Sequence, residues 1–276
     1  DGGFYLTTVG RVQTPTLAIV VEREEQIKQF VSRPYFEVHA QFDVEAGQYS
    51  GRWFDTNFKK NDEDAERRAE RLWERNQAEA IRQACQSQQA VVTEETKPTT
   101  QSAPMLFDLT SLQREGNARF GFSAKTTLSL AQALYERHKV LTYPRTDSRA
   151  LPEDYLSTVQ DTLGILRDEA SERLSAMTGG SGGNPIGPHA AKILSNDWVQ
   201  PNKRIFNDAK ISDHFAIIPT SQAPKNLSEA EAKIYDLVVR RFMAAFFPPA
   251  EFRNTTRISQ IDRHHFKTEG KVMVKP

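Results

Sequence analysis

Apolar residues recur along this chain with two different periods, and the switches between them mark its elements. From about Thr14 to Phe30, Leu17, Val20, Val21, Ile27 and Phe30 fall at helical spacing, Pro15 suits a first helical turn, and Arg33-Pro34 breaks the pattern. From Tyr35 to Phe54 the period shortens to two. Phe36, Val38, Ala40 and Phe42 alternate with Glu37, His39, Gln41 and Asp43, which predicts a half-exposed strand, a turn at Ala46-Gly47 and a return strand. His39 on the polar side reads as a surface histidine. Asn61 to Gln88 returns to helical spacing through Ala65, Ala69, Leu72, Trp73, Ala80, Ile81 and Ala84, with Glu and Arg on the solvated faces. Ala90 to Thr93 reads as a further strand, and the Thr- and Pro-rich segment Lys97–Pro104 as a linker.

Two helices joined by a tight turn come next. Thr110 and Gln113 fit a capping box, Gly121 fits a helix stop, and Ser123 caps a second helix reaching about Arg137. Such a helix-turn-helix occurs in DNA binders and in ordinary helical cores alike. Leu156 to Met177 is predicted helical and Thr178 to Gly187 a flexible Gly/Ser-rich loop with no phosphate-cradling context. Leu227 to Phe247 is an amphipathic helix, capped by Ser228 with Glu231 and ended by Pro248-Pro249; the tail from Phe252 to Val274 alternates as strands. The expectation is a mixed α and β, multidomain chain.

Composition changes this picture little. Thirty-six basic and 36 acidic residues cancel, so overall charge gives no pointer to nucleic acid. Between Thr110 and Arg149, however, seven basic residues face three acidic ones, a local excess of four. The single cysteine, Cys85, excludes an intrachain disulfide and a cysteine-based zinc site, and His264-His265 lacks a third ligand at metal spacing. No apolar run approaches the ~20 residues that span a bilayer, and no signal-peptide pattern opens the chain. A soluble cytoplasmic protein is expected. Its start at Asp1, without methionine, suggests a fragment of a longer protein.

The chemistry concentrates in Leu141–Ala150. Pro144 pushes Tyr143 toward an extended backbone, and Arg145 follows with a permanent planar charge that grips phosphate through two parallel hydrogen bonds. A phenol of ordinary pKa, about 10, needs such help to act as a nucleophile. The parts suit a phosphodiester transesterification, although on the local motif alone a packing role for the tyrosine is the plainer reading.

A wider pattern favours the chemistry. The blocks Thr110–Glu115, Gly121–Lys125, Ala131–Glu136 and Leu141–Ser148, with Val9-Gly10-Arg11-Val12-Gln13-Thr14-Pro15 before them and Asp213-His214-Phe215-Ala216-Ile217-Ile218-Pro219-Thr220 after, resemble type IA DNA topoisomerases in content and order. The bacterial topoisomerase III branch is the nearest likeness. The resemblance implies a fold in which residues 1–33 and 227–248 hold a single DNA strand, 34–100 and 249–276 form a β-rich arch, and 101–226 form a gate domain carrying the nucleophile. It implies that Tyr143 forms a 5′-phosphotyrosyl bond and leaves a free 3′-hydroxyl, with resealing that needs no ATP. Arg145 then stabilises the phosphate and His214 supports catalysis; Arg11 and Gln13 contact the single-stranded DNA, and Gln132 and Glu136 lie near the cleft as DNA-binding positions.

The family's acidic, magnesium-binding Toprim domain precedes these blocks and has no counterpart here. The parent enzyme is therefore expected to be a monomeric, Mg2+-dependent isomerase that relaxes negative supercoils or decatenates DNA, and the isolated chain to be inactive. Two other readings remain at this point. One is a non-catalytic helix-turn-helix module that binds single-stranded DNA. The other is a tyrosine recombinase, which attaches to the 3′-phosphate instead.

Overall fold

The computed structural model describes residues 10–60, 64, 66–168 and 186–275. It divides into two compact units, Asp1–Lys97 with Asn254–Gly270, and Pro98–Arg253 with Lys271–Pro276.

In the first unit, β1 (His39–Val44) and β2 (Gly47–Phe54) form an antiparallel hairpin with Phe42 opposite Tyr49. Its turn lies at Glu45-Ala46, and Gly47 has φ 127°, a conformation that side-chain-bearing residues rarely adopt. β2 pairs with β5 (His264–Lys275), Trp53 opposite Phe266. With β4 (Ala250–Ile261) and β3 (Val91–Gln101) these strands make a five-stranded sheet of order β1-β2-β5-β4-β3. The unit's core is small: Val38, Leu72, Ile261 and Phe266, closed by Ile81 from α2 (Arg75–Cys85). Helix α1 (Gln13–Gln29) forms where the apolar spacing predicts it but has no buried residue.

Two expectations in this unit need correction. The helix expected over Asn61–Gln88 begins at Arg75; of the earlier positions, 61–63 and 65 lie outside the described residues. Ahead of it Leu72 exchanges both backbone bonds with Phe36, at 2.8 and 2.9 Å, and the Ala69 carbonyl accepts from the Asp55 N–H at 2.8 Å. Long-range pairing that buries Leu72 thus overrides a spacing that fits a helix locally. The expected linker is strand as far as Gln101. Pro98 is tolerated because β3 is an edge strand, where a missing N–H breaks no ladder on the open side.

The second unit carries the helix-turn-helix, α3 (Leu109–Phe120) and α4 (Ala124–Glu136). The cap of α3 is not the Thr110–Gln113 pair. Asp108 accepts from the Ser111 N–H at 2.7 Å, and the Ser111 hydroxyl accepts from the Asp108 N–H at 3.1 Å, so the helix starts two residues earlier than that pair would place it. Gly121, at φ 69°, ends α3 as expected, and Ser123 caps α4 by accepting from the Thr126 N–H at 3.0 Å. A Cβ on Gly116 would lie 3.0 Å from Thr127 Oγ1, so this glycine lets α3 and α4 approach closely.

Helix α5 (Leu156–Asp168) begins where predicted; the rest of the expected helix, residues 169–177, lies outside the described residues. So do positions 178–185 of the expected loop, whereas Ile186 and Gly187 open α6 (Ile186–Ser195) with Pro188 in its first turn. Helix α7 (Glu229–Phe246) has the anticipated Ser228–Glu231 box and runs through the core, burying Ile234, Tyr235, Val238 and Phe242. Leu112, Leu134, Leu141, Leu163, Ile193 and Ile217 share that core.

Candidate active site

The end of α4 sets the site. The N–H groups of Arg137 and His138 both reach the Ala133 carbonyl, at 3.0 and 3.1 Å, and Val140 N–H reaches Leu134 O at 2.9 Å. Lys139 takes φ 59° to close this reversal, a left-handed conformation that usually falls to glycine. The chain then runs extended, as Pro144 requires of Tyr143.

A second segment clamps this run. Thr142 N–H donates to Ile218 O at 3.0 Å, and the Thr142 hydroxyl accepts from Ile218 N–H at 2.9 Å while donating to Ala216 O at 2.9 Å. The Thr146 hydroxyl donates to the His214 carbonyl at 2.8 Å, and Ser148 to Lys210 O at 2.9 Å. Pro144, Thr146, Ser148 and Ala150 are buried; Arg145, Asp147 and Arg149 are exposed. Tyr143 and Arg145 therefore share the outward face of a two-residue period, over a core that fixes their backbone.

Three rings meet there. Tyr143 lies 4.3 Å from the His214 ring, centroid to centroid, tilted by 45°. Tyr135, from α4, also meets Tyr143, edge-on at 5.4 Å and 79°. One turn earlier on α4, donor and acceptor matching turns the Gln132 carboxamide oxygen toward Arg145, where it accepts from Nε and Nη2 at 3.1 Å each.

The local charge excess is unevenly spent. Arg119 pairs with Glu115, Arg137 with Glu231, and Arg149 with Asp108 at 2.7 Å. Burial raises the Asp108 carboxyl, but hydrogen bonds from Ser111 and Arg149 outweigh it and leave the group below its ordinary range. Arg114, Lys125, Lys139 and Arg145 make no ion pair among the described residues, and Lys139 Nζ sits 5.6 Å over the Tyr135 ring. Of these, Lys139, over the ring that abuts Tyr143, and Arg145, two residues along, leave positive charge beside the phenol, which attracts a polyanion.

Of the residues singled out from sequence, Tyr143, Arg145, His214 and Gln132 come together. Glu136 is exposed at the last position of α4; Arg11 and Gln13 belong to the first unit, both exposed, Gln13 opening α1 and Arg11 two residues ahead of it. Tyr135 was missed. Its place three residues after Gln132, on the same helical face, is the signal that could have found it. Among the described residues no group of three or more His, Cys, Asp or Glu side chains is placed to hold a metal ion. No helix among them is long and apolar enough to cross a membrane.

Known proteins share this arrangement of sequence. Residues 3–276 match the family model described as DNA topoisomerase. DNA topoisomerase 3 of Bacillus licheniformis is 41% identical over 267 residues, covering 96% of this chain and 33% of that protein. DNA topoisomerase 3 of Bacillus subtilis is 38% identical over 269 residues with the same shares. Among solved structures, full-length topoisomerase I from Thermotoga maritima superposes with TM-score 0.59 at 21% identity, over 96% of this chain and 39% of that one, a likeness of fold. The chain spans about a third of the length of the curated relatives it matches.

Proposed function

The chain belongs to the DNA topoisomerase family, and on that premise we propose that it is the nucleophile-bearing part of a type IA enzyme, an ATP-independent isomerase acting on single-stranded DNA. Tyr143 Oη attacks a backbone phosphorus, the bond to the 3′-oxygen breaks, and that oxygen takes up a proton as the 3′-hydroxyl. The product is a 5′-phosphotyrosyl ester, which keeps the energy of the broken linkage, so resealing is the same exchange in reverse. Arg145 holds the phosphate oxygens as charge builds on them. His214, against the phenol ring, supports the proton and charge movements at Tyr143.

The juxtaposition of Tyr143, His214 and Arg145 from two separated segments carries this reading. Arg11 and Gln13 contact the bound strand, and Gln132 and Glu136 lie at the cleft beside the break. On the resemblance, residues 1–33 and 227–248 hold the strand, 34–100 and 249–276 form the arch, and 101–226 form the gate. Magnesium and the acid that protonates the leaving oxygen come from the part of the longer relatives that this chain does not span, so the chain alone binds DNA without cutting it. The full-length enzyme acts as a monomer in the cytoplasm and relaxes negative supercoils or decatenates DNA.

The polarity of the break tests this. With the full-length enzyme, magnesium and single-stranded DNA, a label at the 3′ end should remain on the protein while a 5′-labelled fragment leaves with a free 3′-hydroxyl. Protein attached to the 5′-labelled fragment would point to recombinase chemistry instead, and binding without any adduct to a plain binding module.

A further inference from the structure

We infer that Gln132 is a positioning residue for Arg145, not a contact to the DNA strand; the inference rests on the reading of Arg145 as the phosphate-holding group. An arginine carries five N–H donors in a planar fork. The Gln132 oxygen takes two of them, on Nε and Nη2, at 3.1 Å each. Those two define the side edge of the guanidinium, so the plane is fixed and the end edge, Nη1 with the outer hydrogen of Nη2, is left to bind two phosphate oxygens in parallel.

The choice of side chain matters. Arg145 is exposed and makes no ion pair among the described residues, so Gln132 is its described partner. A carboxylate at this position would hold the same edge but cancel the charge that the phosphate needs; a neutral amide orients the guanidinium and leaves its charge whole. A long side chain on an exposed backbone otherwise samples many rotamers, and a displaced donor loses much of its effect on a reaction. Gln132 is itself on a rigid support, because Ala131 and Leu134 on the same helix are fully buried.

Two measurements test the inference. On this chain, with arginine side chains labelled by nitrogen-15, Arg145 should give a persistent Nε–H resonance that Gln132→Ala abolishes while the melting temperature holds. In the full-length enzyme, Gln132→Ala should slow single-turnover cleavage about tenfold or more while affinity for single-stranded DNA stays within about twofold, and should have no further effect once Arg145 is alanine. Weakened DNA binding with unchanged cleavage of bound strand would overturn the inference and make Gln132 a strand contact. So would losses from Gln132→Ala and Arg145→Ala that simply add. Failure of the enzymatic reading itself would look different, as strand binding without any covalent adduct in the unsubstituted enzyme.

Discussion

Helices α1 and α7 are of nearly equal length, 17 and 18 residues, yet α7 buries eleven of its residues and α1 none. Both show apolar residues at helical spacing. In α7 that stripe is Ile234, Tyr235, Val238 and Phe242, enclosed by the core that also supports the Tyr143 run. In α1, Leu17 is 63% and Ile19 68% exposed. Periodicity announces a helix; it does not say what the helix packs against. The same contrast separates the residues singled out from sequence: Tyr143, Arg145 and His214 stand on a backbone pinned by Thr142, Thr146 and Ser148, while Gln13 opens a helix with nothing buried and Arg11 lies just before it.

The sharpest way to break this comparison is truncation in each helix. Phe242→Ala should cost about 3–5 kcal/mol in urea unfolding, whereas Leu17→Ala should change stability by less than about 0.5 kcal/mol. Equal costs would show that α1 is held by packing after all. Hydrogen exchange should follow the same order, because a helix of this length without tertiary burial is marginal on its own.

The second effect lies at the entry to α7. Glu231 is buried there, accepting from Ser228 N–H at 2.8 Å and lying 3.3 Å from His138. Burial would raise its carboxyl, but the Ser228 hydrogen bonds and the positive charges of His138 and Arg137 outweigh that and hold it below the ordinary range. A depressed folded pKa gives stability that is present above the unfolded value of about 4.3 and is lost as pH falls through the folded value. Glu231→Ala should cost about 1–3 kcal/mol near neutrality and flatten the acid limb of the stability profile. An unchanged limb in unfolding curves taken across that range would count against the assignment.

Smaller effects belong to the turns. Gly121→Ala forces a side chain into φ 69° and should cost about 1 kcal/mol. Lys139→Gly relieves the left-handed conformation at the end of α4 and should gain at most about 1 kcal/mol, with Tyr143 left in place. Thermal unfolding of both variants reads the sign directly.

How much of this was legible in sequence follows from the range of the interactions. The Ser228–Glu231 box, Gly121 and the β-hairpin at Gly47 are local devices, and each was read from its own few residues. The stretch before Arg75 was misread because the Phe36–Leu72 pairing spans 36 positions of chain and leaves no local trace. The reversal at Lys139 was not read because a lysine there gives no hint of positive φ. At the site, Tyr143 and Arg145 were read from Pro144 and the motif, and His214 from resemblance alone. Tyr135 and the grip of Gln132 on Arg145 depend on how α4 lies against the Tyr143 run, a tertiary fact that spacing could only suggest.

The central claim is that Tyr143 forms a covalent bond with DNA. The full-length enzyme and its Tyr143→Phe variant, each incubated with magnesium and 3′-end-labelled single-stranded DNA and then denatured, give the direct test. The account expects labelled protein from the first and none from the second, with both melting at nearly the same temperature. Labelled protein persisting in the variant would contradict it.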